Sequence, residues 1–201
     1  MTEAEWVTAT DPMPMVQSLE GKASNRKLRL FAVACCRRVW HRLAAQRHRT
    51  VVELAEAFAD GLVSEEQIKQ ARDAIWQGPK LWPTPWACAN PDAFKSAWFT
   101  LQNATRIADR STDIKSSHPD ILRDIFGNPF RPISVDPSWR SATVVALAEG
   151  SYQDRAFDRL PILADALQDA GCDSDDILNH LRGPGPHTRG CWPLDLVLAK
   201  Q

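Results

Sequence analysis

The stretch 24–49, SNRKLRLFAVACCRRVWHRLAAQRHR, constrains the fold more than any other part of the chain. Ser24 is a good N-cap and no Pro or Gly follows until Gly61, so the pattern predicts a long central helix near residues 25–46. Stepped at about 100° per residue, Leu28, Ala32, Cys35, Cys36, Val39, Trp40 and Leu43 share one broad apolar stripe, with Leu30 and Phe31 lying off it. A helix that is apolar on more than one side has to be sandwiched between other elements.

The same stretch is one-signed. Between Lys22 and Arg49 there are nine Lys or Arg and no acid, although the whole chain balances 24 basic against 25 acidic residues for a net charge of -1. On one reading the arginines pair with the acidic helices that follow and cover apolar surface with their stems. On the other, Arg26, Lys27, Arg37, Arg38, Arg42, Arg47 and Arg49 form one exposed patch that binds nucleic acid. The near-neutral total favours the first.

Fourteen Pro and nine Gly are spread along the chain as punctuation. A helix is predicted from Pro12, capped by Asp11, to Leu19; another restarts near Thr50 and runs to Asp60. Ser64-Glu65-Glu66-Gln67 reads as a capping box for a third. The Pro/Trp segment 78–91 is expected to be extended, with Trp82 and Trp86 tucked inward. Helices are then predicted over 92–111, from Ser117-His118-Pro119-Asp120 to Gly127, and over 141–160. Three more start at Pro161, at Asp173 or Ser174, and at Pro193. Beyond a brief β-like passage at Ile133 to Val135, no strand pattern competes. The fold class is therefore all-α: a compact bundle of about eight or nine short helices around the central one. It reads as one domain over 1–201, with a candidate subdivision near 78–91.

Five cysteines, two of them adjacent, and no secretory apolar region after Met1 point to a reducing cytoplasmic compartment. The apolar run that ends at Cys36 is far shorter than the ~20 residues of a membrane span, so no membrane partner is expected.

The segments MTEAEW, GKASNRKLRLFAVACCRRVW, LRDIFGNPFRP with the DPSW after it, RAFDRLPILADALQDAGC and LRGPGPHTRGCWPLDLVLAK together resemble an uncharacterised family of small multi-copy proteins of planctomycete-type bacteria. The resemblance spans nearly the whole chain. It implies a bacterial, cytoplasmic setting and transfers no catalytic residue, fold or substrate.

Two polar constellations could carry function. Cys172, His180, His187 and Cys191 supply two thiols and two imidazoles, a full tetrahedral complement for zinc, and the Gly/Pro loop between the histidines could fold back to gather them. Their spacing matches no short-knuckle pattern, and the plain alternative is two buried thiols and two imidazoles capping loop carbonyls. Arg182, His187 and Arg189 could hold an anion, but the prolines remove amide donors from the loop that would cradle it. Arg182 with His187, and Arg42 with His48, also give spacings reminiscent of helical ribonucleases. The first pair straddles Gly-Pro-Gly-Pro, unlike that pattern.

No catalytic motif is recognisable and no cofactor is demanded, zinc being the one candidate. The sequence thus favours a non-enzymatic module that binds another protein. Nucleic-acid binding through the basic helix and zinc binding through the C-terminal Cys/His set are the alternatives.

Overall fold

The computed structural model describes residues 1–76, 84–107 and 112–200, without the side chains of 107 and 112–116. The first half of the Pro/Trp segment, including Trp82, and the expected end of the next helix at 108–111 lie outside the described residues. Among the described residues there are twelve α-helices and no strand, so the chain is all-α; nine of the helices have seven or more residues. The chain forms two compact units, Met1–Leu122 and Arg123–Gln201.

In the first unit, α1 (Glu3–Thr8) and α2 (Pro12–Ser18) precede α3 (Asn25–Arg38). The Ser24 hydroxyl accepts the Lys27 amide at 3.3 Å, as the N-cap reading requires. Leu28 and every residue from Leu30 to Cys36 are buried, so α3 is covered on all sides. It packs most extensively on α7 (Ala93–Ile107), then on α4 (Gln46–Ala59) and α6 (Thr84–Cys88). Cys35 and Cys36 are free, buried thiols, pushed well above their usual range by burial.

The central helix is shorter than its sequence suggests. It ends at Arg38, passes through a 3-10 turn at Trp40–Arg42, and α4 begins at Gln46. Two arginines hold the break: the guanidiniums of Arg37 and Arg49 lie 5.0 and 5.6 Å from the Trp40 ring, and Arg49 Nε donates to the Leu43 carbonyl at 2.8 Å. Arg49 thus satisfies a carbonyl at the break, and α4 folds back against α3. α5 (Glu65–Ala74) opens on the expected Ser64–Gln67 capping box and packs on α4.

Thr84–Cys88 is helical, so the second half of the Pro/Trp segment is not extended. α8 (Thr112–Phe126) starts before the Ser117-His118-Pro119 stretch and carries Pro119 inside it; the unit boundary falls within this helix.

In the second unit the predicted helix over 141–160 is two elements. α9 (Ala142–Asp154) stops at Arg155, which adopts a left-handed φ of 54°, and a 3-10 turn at Phe157–Arg159 leads into α10 (Leu160–Asp169). α11 (Asp175–Arg182) and α12 (Trp192–Val197) follow. Val144, Ala148, Leu160, Leu163, Leu167, Ile177, Leu181, Leu194 and Val197 are buried together, which ties α9 to α12 into one core.

Candidate metal centre

Three short structures bring four donor side chains to one point in the second unit. Asp124 stands near the end of α8, which Gly127 terminates with a φ of +63°. His180 projects from the last turn of α11. The loop 183–190 carries His187 and hands over to Cys191, the N-cap of α12. Gly185 is required there: its φ is +84°, and an added Cβ would sit 2.8 Å from the His187 amide nitrogen.

Asp124 is the hub. It is 2% exposed, and its Oδ1 lies 3.0 Å from His180 Nε2 and 3.1 Å from His187 Nδ1. Its Oδ2 accepts from the Thr188 amide at 2.8 Å and the Thr188 hydroxyl at 2.9 Å. Cys191 Sγ lies 3.3 Å from His180 Nε2 and 3.9 Å from His187 Nδ1. One donor atom from each of Asp124, His180, His187 and Cys191 falls within 4.8 Å of all the others.

The electrostatics follow from that convergence. Burial alone would raise the Asp124 carboxyl, but hydrogen bonds from both imidazoles and their charge outweigh it and hold the group below its usual value. Burial pulls His187 down, while the hydrogen bond and charge of Asp124 and the Gly183 carbonyl pull it up further, leaving it raised. Burial, then the Asp124 charge, push the Cys191 thiol well above its usual range. Without an ion, Cys191 is therefore a neutral thiol.

A four-coordinate zinc with ligands at about 2.0–2.3 Å requires donor atoms about 3.3–3.6 Å apart. The separations of 3.0, 3.1, 3.3 and 3.9 Å bracket that range. The outer contacts suit two of the ligands. His187 Nε2 is 3.2 Å from the Gly183 carbonyl, the partner that leaves Nδ1 facing inward as a lone pair, and Thr188 fixes the carboxylate through its outer oxygen. His180 differs: its outer nitrogen, Nδ1, accepts from Trp192 Nε1 at 3.2 Å.

Of the four residues singled out from the sequence, His180, His187 and Cys191 meet here, and Cys172 does not belong to the group. Cys172 is buried in the second unit's apolar core after α10. Asp124 takes the fourth place.

The other candidate residues are dispersed. Arg182 pairs with Asp165 and Gln168, both at 2.7 Å, while Arg189 donates to the carbonyls of Tyr152 and Gln153. With His187 on Asp124, the three members of the expected anion site face three different partners, and Arg182 with His187 does not form a joint phosphate-binding pair.

No family model, curated protein or solved structure matches this chain.

The basic block of the first unit is largely engaged in structure. Arg26 pairs with Asp60 at 3.0 Å and Arg37 with Glu56 at 2.8 Å. Arg29 donates to the carbonyls of Asn90 and Pro91 and lies over Phe58, and Arg49 caps Leu43. Lys27 is half-buried, while Arg38, Arg42 and Arg47 are exposed. Arg42 turns to His41 rather than to His48. Of the seven cations, two have carboxylate partners, one caps a carbonyl, one is half-buried and three are exposed.

Proposed function

We propose that the second unit binds one divalent transition-metal ion, of the zinc class, at Asp124, His180, His187 and Cys191, and that the ion is structural. The observation that carries this reading is the convergence of four donor atoms of three chemical kinds within 4.8 Å. Four protein ligands fill a tetrahedral shell and leave no position for substrate or an activated water, which separates structural sites from catalytic ones. A thiolate and two imidazoles favour zinc over magnesium or calcium, which prefer all-oxygen shells. The reading agrees with the absence of a catalytic motif and makes the protein a metal-stabilised helical module. Five free thiols suit the reducing, cytoplasmic and bacterial setting that the sequence resemblance implies.

A second reading has one observation in its favour. Asp124 already receives contacts from four donors, and the Trp192 indole on His180 Nδ1 keeps the imidazole proton on Nε2, pointing at Asp124. On this reading the cluster is a metal-free polar staple between the end of α8 and the 183–190 loop.

Elemental analysis of the purified full chain, with melting in the presence and absence of a chelator, separates them. Metal binding predicts about one ion per chain, lost in Cys191→Ser, and a lower melting temperature after chelation. A preparation that takes up no zinc or cobalt and melts unchanged with chelator overturns it.

As to the wider role, a protein-binding module remains the reading of the whole chain. Exposed large apolar side chains such as Val7, Leu62, Phe130 and Ile162 are scattered along the sequence and name no single docking surface.

A further inference from the structure

His180 touches Trp192 in a way that a metal ligand cannot retain. A neutral imidazole has one N–H; when Nε2 gives its lone pair to a metal, the proton sits on Nδ1. The indole Nε1–H is a donor only, and it stands 3.2 Å from that same Nδ1. With the ion in place, two N–H groups would face each other with no acceptor between them. In zinc sites this outer nitrogen normally donates to a carbonyl or carboxylate.

Trp192 is placed to respond. It is the first residue of α12, directly after the ligand Cys191, and is half-buried. Its ring lies flat on Gly127, where an added Cβ would come within 3.1 Å of the indole. Its ring centroid is 5.4 Å from that of His180. The indole also packs against the second unit's apolar core, so the hydrogen bond to His180 is the polar part of its hold, beside the end of the helix that carries Asp124.

Resting on the metal reading above, we propose that Trp192 is a latch: it closes on His180 when the cage is metal-free, and loading the ion forces it open. Metal occupancy is thereby converted into movement of an aromatic side chain at the start of α12, next to Gly127.

The test uses the full chain with cobalt and zinc as probes. The visible ligand-field absorption of bound cobalt reports tetrahedral coordination, and its loss in Cys191→Ser assigns it to this cage. The indole N–H resonance of Trp192, assigned by its disappearance in Trp192→Phe, reports the latch. Zinc is expected to move that resonance away from its hydrogen-bonded position. Trp192→Phe is expected to bind zinc roughly three- to tenfold more tightly, since no indole hydrogen bond has to be broken. If cobalt binds in a Cys191-dependent way while the resonance stays put and Trp192→Phe binds equally or more weakly, the latch is wrong and the metal site stands. The resonance is read in the unsubstituted protein, so it decides the matter even if the Phe variant folds poorly. An absence of any Cys191-dependent cobalt or zinc binding overturns both.

Discussion

Arg37 and Asp124 are both charged side chains set against apolar cores, yet they are used in opposite ways. Arg37 belongs to a run of like charges that the first unit takes apart one pair at a time: Arg26 to Asp60, Arg37 to Glu56, Arg29 and Arg49 to backbone carbonyls. These contacts go to separate partners. Asp124 collects four donors, from α11 and from the 183–190 loop, onto a single carboxylate. The first arrangement turns a conspicuous charge block into scaffold. The second builds a centre from residues that are inconspicuous in the sequence, and its failure should be collective.

Asp124→Ala is the sharpest way to break that contrast. Removing the hub leaves two imidazoles and the Thr188 donors facing a cavity, and a loss of about 3–5 kcal/mol is expected in chemical denaturation, together with all metal affinity. Arg37→Ala in the first unit should cost less, about 1–3 kcal/mol, because the Arg37 side chain is already 29% exposed even though Glu56 is not. Equal losses would mean that the two polar arrangements are equivalent scaffolding.

Gly185→Ala comes next. The substitution puts a Cβ 2.8 Å from the His187 amide at a φ of +84°, so the loop must shift and carry His187 away from Asp124. A cost of about 1–3 kcal/mol is expected, with weaker zinc uptake measured by competition with a chromophoric chelator. Unchanged zinc affinity would remove His187 from the ligand set.

The two units also hold histidines of opposite character, which gives them different pH windows. His118 is fully buried, with no hydrogen-bond partner on either ring nitrogen among the described residues, and burial, then Arg38, lower it to about 4. Its contribution to stability is present above the ordinary value of 6.5 and is lost as pH falls towards 4. His187 is raised by Asp124, so its contribution is full below 6.5 and fades as pH climbs through the raised value. Asp124, lowered, keeps its contribution above 3.8 and loses it only as pH drops further. Without metal, the second unit should therefore weaken as pH rises above 6.5 through the raised His187 value. Zinc reverses the trend, because its ligands must shed the His187 and Cys191 protons to bind. The gap between zinc-loaded and chelated melting temperatures is expected to widen with rising pH above 6.5. Parallel curves would favour the metal-free staple.

Much of the scaffold was legible because caps and apolar periodicity are local signals: Ser24, Asp11 and the Ser64–Gln67 box start helices where expected. The breaks at Val39 and Arg155 were not. The first has Arg37 and Arg49 over the Trp40 ring and the second a left-handed Arg155, and neither follows from apolar periodicity or a cap pattern. Three members of the candidate cluster, His180, His187 and Cys191, were legible in the sequence, whereas Asp124 was not and Cys172 lies outside the cluster. Cys172 resembled a ligand by type and by closeness in sequence, whereas Asp124 lies 56 residues from His180. A signal for it existed: Asp124 sits among Ile121, Leu122 and Ile125 on one short helical stretch, all buried. An acid on such a face has to meet a donor or an ion.

The smallest expected effect concerns the cations that the first unit leaves in solvent. Arg38, Arg42 and Arg47 are exposed, and replacing all three with Ala should change stability by less than about 0.5 kcal/mol per site. Arg26 and Arg37 have carboxylate partners, which leaves Arg38, Arg42 and Arg47 as the exposed members of the seven cations. The unsubstituted chain should accordingly show weak retention on immobilised single- or double-stranded nucleic acid at physiological salt, and the triple variant little difference from it. Tight binding that falls steeply with salt, and that the triple substitution abolishes, would show that three exposed arginines suffice. The basic block would then be an interface as well as a scaffold, and the contrast between the two units would no longer hold.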